Sequence, residues 1–365
     1  MRLLVQPGDG VEPLVKGINK AKKRVEIVIF RFDRREIERA LVNAVSRGVH
    51  VHALIAYTNR GGEKNLRELE LRLLAGGVTV ARTADDLVRY HAKYIIIDRS
   101  ELYVLGFNFT YIDMERSRSF AVVTKNRAVV QEAAKLFEAD MKRRPYKPGS
   151  GSLIVSPANA RKQLSSLIKG AKKELLIYDP KIGDPAMIRL LEERAKAEVD
   201  IRIIGGMTRH SNKLKLHKPP QRLHVRTVIR DHEQVFIGSQ SLRTAELDSR
   251  REVGIIFRDR KTASKLIKIF QEDWGTTQQS KEGAMGEEVT PAAKVAKKVA
   301  KAVTKELPPV APVLEGFVKE VVGEKTEVEL NSEELQESVQ HAVREAVKGV
   351  IQEVVEQETG AEPPE

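Results

Sequence analysis

Short apolar runs alternate with stretches of helical period along the first 274 residues. Runs at Val25–Phe30, Val49–Ala56, Val78–Ala81, Lys93–Ile97, Leu102–Gly106 and Phe120–Thr124 are rich in β-branched residues and too short for helices, so they predict strands. Between and around them, apolar positions recur at helical spacing over Val11–Ala21, Arg35–Ser46, Lys64–Leu74 and Arg127–Arg143. Strands separated by helices of this length imply βαβ crossovers, an α/β fold and a largely parallel sheet.

The pattern occurs twice. Leu3, Leu4, Val5 and Pro7 read against Leu153, Ile154, Val155 and Pro157, an offset of 150. At the same offset Ile18, Ala21, Lys22, Lys23, Val25 and Ile27 meet Ile168, Ala171, Lys172, Lys173, Leu175 and Ile177. The second copy has its own β-rich run at Val199–Ile204 and a shorter middle. A Pro/Gly/Ser-rich stretch over 147–152 joins the copies. The expected organisation is a first repeat over 1–146 and a second over 152–274.

Composition shifts at Gly275 toward Gln, Ser, Gly, Glu and Pro, which predicts an unpacked linker over 275–330 holding a Lys/Ala-rich segment at Ala292–Lys305. An acidic amphipathic helix is predicted over 331–358, capped by Asn331 with Glu334 and suited to self-association. The tail as a whole is expected to be helical and partly disordered.

Composition changes the picture in two ways. The 365 residues include no cysteine, which excludes a disulfide scaffold, a zinc ribbon and a thiol nucleophile. No spacing among the 8 histidines supports a metal site, and His50 and His52 in one strand read as structural or surface residues. No apolar run reaches membrane-spanning length and no signal-peptide core precedes the turn at Pro7–Gly10. The expectation is a cytoplasmic protein, peripheral to a membrane at most. The net charge of +12 is unevenly spread. Residues 276–365 carry 10 Lys+Arg against 18 Asp+Glu, leaving 53 against 33 in residues 1–275. A strongly basic body points to an anionic partner: a phosphorylated substrate, a lipid headgroup or nucleic acid. Lys213, Lys215, His217 and Lys218 form a basic loop that fits either solvent or such a contact.

The candidate chemistry sits inside the duplication. His91 and Lys93, two apart on a strand, point to one face; Asp98 and Asn108 follow. This set suits phosphate: lysine neutralises a non-bridging oxygen, the imidazole attacks phosphorus or protonates a leaving oxygen, and Asn108 adds an uncharged donor. In the second copy His224 and Arg226 precede Asp231, Ser239 and Ser241, with an offset of 133 at the histidine, the aspartate and Asn108 against Ser241. Two copies related by a pseudo-twofold would bring both histidines to one interface.

These residues resemble the signature of the phospholipase D superfamily, His-x-Lys-x4-Asp-x6-Gly-Ser-x-Asn, present twice per active site. The resemblance extends over about residues 1–274 and is strongest toward cardiolipin-synthase-like and bacterial phospholipase-D-like proteins. It implies two tandem sandwich repeats and a phosphohistidine intermediate passed to water or an alcohol, with no metal or organic cofactor required. It makes His91 and His224 the catalytic pair and puts Lys93, Asn108, Ser239 and Ser241 around the phosphate. It leaves Asp98 and Asp231 mainly structural. An acidic residue downstream of each motif orients a histidine in this superfamily, and Glu252 fills that place for His224. The sequence departs from the signature at Leu105-Gly106 for Gly-Ser, at Ser119 for the first acid, at Arg226 for Lys and at Ser241 for Asn. Arginine keeps the charge but not the geometry of lysine. His91 thus keeps the better phosphate clamp and His224 the better orienter, which favours His91 as nucleophile and His224 as acid. The implied activity is phosphodiester hydrolysis or phosphatidyl transfer on a phospholipid at a membrane surface. A metal-independent nuclease and a non-catalytic phosphodiester binder are the alternatives.

Overall fold

The computed structural model describes residues 1–58, 63–149, 151–209, 211–219 and 221–286. The two tail helices expected at Ala292–Lys305 and 331–358 lie outside the described residues.

In the first repeat β1 (Arg2–Gln6), α1 (Glu12–Lys20), β2 (Arg24–Ile29), α2 (Arg35–Ser46), β3 (His50–Ile55), α3 (Glu63–Ala75) and β4 (Thr79–Arg82) come first. The short β5 (Arg89–Tyr90) then leads into β6 (Tyr94–Ile97), β7 (Glu101–Leu105), α4 (Tyr111–Glu115), β8 (Ser117–Thr124) and α5 (Arg127–Met141). The second repeat opens with β9 (Leu153–Val155), α6 (Ala160–Lys169), β10 (Glu174–Ile182), α7 (Pro185–Lys196), β11 (Asp200–Met207) and β12 (Lys215–His217). It continues with β13 (Arg222–Leu223), β14 (Arg226–Arg230), β15 (Gln234–Gly238), α8 (Thr244–Asp248), β16 (Arg250–Arg251), β17 (Val253–Arg258) and α9 (Arg260–Gly286).

The main sheet orders are β1-β8-β7-β6-β2-β3-β4 and β12-β11-β10-β14-β15-β17-β9, the same order in each repeat. Among the described residues no helix matches α3 in the shorter middle of the second copy, where the offset falls from 150 to 133. The sheets are mixed rather than largely parallel. Only the β2–β3–β4 and β10–β11–β12 portions are parallel, and the other main-path pairs are antiparallel. The antiparallel pairs follow from tight β6–β7 and β14–β15 turns, where no crossover helix intervenes.

Strand alternation sorts side chains into layers. Ile95 and Ile97 join a core with α1, α2 and α3, whereas Tyr94 and Ile96 join a central core between the sheets. That central core takes in α5 through Val130, Leu136 and Phe137, and α9 through Leu266, Phe270 and Trp274. The Phe120 and Tyr178 rings meet across the repeats at 5.5 Å and 77°. Helix α9 runs past Trp274 to Gly286, so the linker expected from Gly275 begins inside a helix. Thr277 is buried, donates to the Trp274 carbonyl oxygen and pairs with His217. The basic loop is therefore packed in part: His217 stacks on Trp274 at 3.8 Å, and Lys215 donates to Asp200.

Candidate active site

Each histidine is held by the opposite repeat. The β5 strand pairs with β16, and His91 N–H donates to the Arg251 carbonyl at 2.8 Å. Symmetrically, β13 pairs with β8, and His224 N–H donates to the Arg118 carbonyl at 3.1 Å. The residue after each carbonyl is thereby delivered to the histidine of the other copy.

This exchange corrects the assignment of Glu252. It does not serve His224; its Oε2 lies 2.8 Å and its Oε1 3.1 Å from His91 Nδ1. The orienter is supplied across the pseudo-twofold because β16 hydrogen-bonds to β5 and carries Glu252 with it. His91 therefore has both the carboxylate and the lysine beside it. Ser119, the counterpart of Glu252, donates its hydroxyl to the His224 carbonyl oxygen at 2.7 Å.

Glu252 accepting at Nδ1 fixes the tautomer with a hydrogen on Nδ1 and leaves the Nε2 lone pair as the acceptor that faces Lys93. Lys93 Nζ sits 3.0 Å from Nε2, and Phe30 packs edge-on against the imidazole at 4.5 Å. Lys93 and Glu252 have no exposed surface. Burial pushes the Lys93 ammonium down to about 7, with Glu252 opposing and Arg226 assisting. Burial likewise pushes the Glu252 carboxyl up to about 7 against the pull of Lys93. Burial, Lys93 and Arg226 hold His91 well below its usual value, so its imidazole is neutral.

On the other side, His224 Nδ1 lies 3.2 Å from Asp113 Oδ2. That is an ion-pair distance without hydrogen-bond alignment, and Nδ1 has no other partner. Arg226 donates through Nε to Ser241 at 3.3 Å, while its buried Nη1 has no partner and remains a donor for an anion. Asn108 gives its backbone N–H and one Nδ2 hydrogen to Asp113 at 2.9 and 2.8 Å. Lys93 and Arg226 each bear on both histidines, which unites the two motifs in one constellation.

The Ser239 hydroxyl accepts from Val253 N at 3.1 Å and is shared between the Val253 carbonyl oxygen at 3.3 Å and the Glu252 carboxylate, whose ionised form it favours. Gly106 is the counterpart of Ser239, and a Cβ there would come 2.8 Å from Phe120 O and 3.3 Å from Gly238 O. A Cβ at 106 would meet the β8 backbone of its own sheet first and the β15 backbone of the other sheet next, which suits glycine.

Asp98 and Asp231 stand away from this chemistry. Asp98, in the left-handed region at φ +50°, accepts the backbone N–H groups of Lys22, Lys23 and Arg24 at 2.7–2.9 Å. Asp231, at φ +49°, does the same for Lys172, Lys173 and Glu174 at 2.8–3.0 Å. The Ala-Lys-Lys segment and the motif aspartate thus repeat together because they are one hydrogen-bonded unit.

Four residues beside the histidines carry no mark in the signature: Asp113, its partner Arg222, Phe30, and Arg89, whose guanidinium lies 5.4 Å from the Phe30 ring centroid. Arg89 and Arg222 each stand two residues before a histidine at the offset of 133, and Asp113 matches Glu246 at the same offset. That register was the available signal.

Two α/β repeats that close a paired His-x-basic constellation at their interface define a phospholipase-D-type fold. A family model described as cardiolipin synthase, PLD-like domain matches residues 14–141 and 164–274, and the chain belongs to that family. It is 26% identical over 275 residues to the polyphosphate kinase of Vibrio parahaemolyticus, covering 67% of this chain and 39% of that protein. The chain thus spans about two fifths of the length of the curated relatives it matches. The crystal structure of polyphosphate kinase from Porphyromonas gingivalis superposes at a TM-score of 0.63 and 19% identity, covering 74% of this chain and 49% of that one. Phosphatidylserine synthase from Haemophilus influenzae superposes at 0.57 and 10% identity, covering 75% and 86%. Both structural likenesses concern the fold. Among the described residues, no helix is long and apolar enough to cross a membrane.

Proposed function

We propose that the chain is a phosphodiester hydrolase or phosphatidyltransferase of the phospholipase D type, with His91 as nucleophile and His224 as general acid. The observation that carries this reading is the Glu252–His91–Lys93 arrangement, a neutral imidazole with an oriented Nε2 beside a buried cation. In the first step Nε2 forms a bond to phosphorus while the P–O bond to the leaving group breaks, and His224 gives that oxygen its proton. In the second, water or an alcohol attacks phosphorus, the P–N bond breaks, and His224 takes the proton. Lys93, Arg226, Asn108 and Ser241 surround the non-bridging oxygens. Phospholipid as substrate is supported by the family model's description and by the excess of basic residues in 1–275.

A second reading has a specific support of its own. The Vibrio relatives are polyphosphate kinases, and the same two-step chemistry would cleave a phosphoanhydride. The test incubates wild type and His91→Ala with phosphatidylglycerol vesicles, inorganic polyphosphate and plasmid DNA in separate arms. Release of headgroup, abolished by the variant by a factor of about 10⁴, supports the phospholipid reading. Loss of polyphosphate supports the second, and nicking of plasmid supports a nuclease. Tight, salt-sensitive binding with no acid-labile phosphohistidine in any arm leaves a non-catalytic binder and rejects the proposal.

A further inference from the structure

The two histidines are built differently, and the difference identifies a residue with a job that the superfamily signature does not assign. Ser119 holds the His224 backbone but offers its ring no charge. The position five residues after Asn108 is Asp113, and its counterpart five after Ser241 is Glu246. Glu246 stays within its own repeat, accepting Ser241 N–H at 2.7 Å and an Nη1 from each of Arg243 and Arg250 at 3.3 Å. Asp113 reaches the other repeat. Its Oδ2 lies 3.2 Å from His224 Nδ1, and its Oδ1 accepts Arg222 Nη1 at 2.5 Å. It is 1% exposed.

We infer that Asp113 is the positioning residue of His224, standing in for the carboxylate that Ser119 lacks. The inference rests on the reading of His224 as general acid. Each histidine then has one carboxylate at Nδ1: Glu252 for His91, eleven residues after Ser241, and Asp113 for His224, five residues after Asn108. Burial holds His224 well below its usual value, with Arg226, Lys93 and Arg222 assisting, and of the charged groups that face it Asp113 alone favours the imidazolium. Burial works to neutralise Asp113, but His224, Arg222 and the Asn108 N–H overcome it and hold the carboxyl well below the usual range. An imidazole in contact with a fixed carboxylate binds a proton more tightly and keeps Nε2 turned toward the leaving oxygen. The misaligned contact is of the kind that tightens when substrate closes the site.

The experiment separates an acid-supporting role from a structural one by leaving group. Wild type, Asp113→Asn and Asp113→Glu are assayed on bis(p-nitrophenyl) phosphate, whose leaving group departs without a proton, and on dibutyl phosphate, whose leaving group needs one. Asp113→Asn is expected to lose about 30-fold or more on the alkyl ester and less than about 3-fold on the aryl ester. Asp113→Glu, which keeps the charge, is expected to recover most of the alkyl activity. Equal losses on both esters would mean that Asp113 acts only through Asn108 and Arg222, and would overturn the inference. If wild type turns over neither ester and forms no phosphohistidine, the functional proposal fails, and the inference is judged by ¹⁵N NMR of the histidines. The His224 midpoint should fall by about one pH unit in Asp113→Asn, a tenfold loss of proton affinity; an unmoved midpoint rejects it.

Discussion

Glu252 reaches His91 across the repeat interface, with Oε2 2.8 Å from Nδ1, although 161 residues separate them. Neither repeat alone therefore contains a complete histidine site. The backbone contact that delivers the carboxylate, His91 N–H to Arg251 O, is also a contact that joins the two halves. The backbone contact that joins the repeats thus also sets the carboxylate beside His91.

The first prediction follows from that contact. Glu252→Gln keeps the shape but removes the charge, and its amide can present a hydrogen where Nδ1 needs an acceptor. Phosphohistidine formation should slow by about 10²–10⁴ with little change in KM, because a wrongly protonated imidazole binds substrate but does not attack. Rapid-quench measurement of acid-labile phosphate checks this. An effect confined to KM would show that Glu252 binds substrate instead.

The strands, the duplication and the two motifs were legible because each rests on local spacing. Predicted Lys93–Ile97 and observed Tyr94–Ile97 differ by one residue, as alternation and β-branching define that strand on their own. Glu252 stands against His91 rather than His224. Its partner depends on the β5–β16 pairing of two two-residue strands, too short to carry a periodic signal. Asp113 escaped for a related reason: its role depends on His224 arriving from the other repeat. The extension of α9 beyond Trp274 was hidden by Gly275 and a polar run, where burial of Thr277 against Trp274 and His217 outweighs composition.

A second prediction concerns pH. A phosphodiester stays a monoanion across the neutral range, so the limbs of kcat/KM report the free protein. Glu252 titrates near 7, and its carboxylate accepts from His91 only above that point, which gives a rising acid limb. Lys93 also titrates near 7, and its charge is present below that point and lost above it, which gives a falling alkaline limb. The pair is coupled, so the two limbs belong to both groups together and the optimum should be narrow. Lys93→Arg should keep that charge to high pH and remove the Lys93 contribution to the alkaline limb, leaving the one set by His224 as acid, while kcat falls as the fork replaces a point charge. A pH–rate profile that Lys93→Arg leaves unchanged would reject the assignment.

A third prediction separates the motif aspartates from the chemistry. Asp98→Ala removes the acceptor of three backbone N–H groups and puts alanine at φ +50°. The expected loss is about 2–4 kcal/mol in urea unfolding, from charged hydrogen bonds and left-handed strain together. Asp98→Asn tolerates the backbone conformation and should lose roughly half as much. In both variants the leaving-group dependence of the folded fraction should match wild type, because Asp98 touches neither histidine.

The last prediction uses the one place where restoring the superfamily signature should do harm. Gly106→Ser would recreate the residue that stands at its counterpart, Ser239. In the second repeat the Ser239 hydroxyl has partners in Val253 and Glu252. In the first repeat a Cβ at 106 meets Phe120 O at 2.8 Å, with Gly238 O at 3.3 Å, and both obstacles are backbone. Neither obstacle can rotate away, so β7 must shift against β8 within its own sheet and against β15 across the interface. That displacement should cost about 1–3 kcal/mol by thermal unfolding, as overpacking of a close interface does. It should also lengthen the Glu252–His91 contact, since β16 and β17 move with β15. Gly106→Ser is therefore expected to lower the melting temperature and the rate of phosphohistidine formation together, whereas Gly106→Ala should do nearly the same despite lacking the hydroxyl. Loss of rate in the serine variant alone would show that the hydroxyl, and not the closeness of the backbone, governs this position.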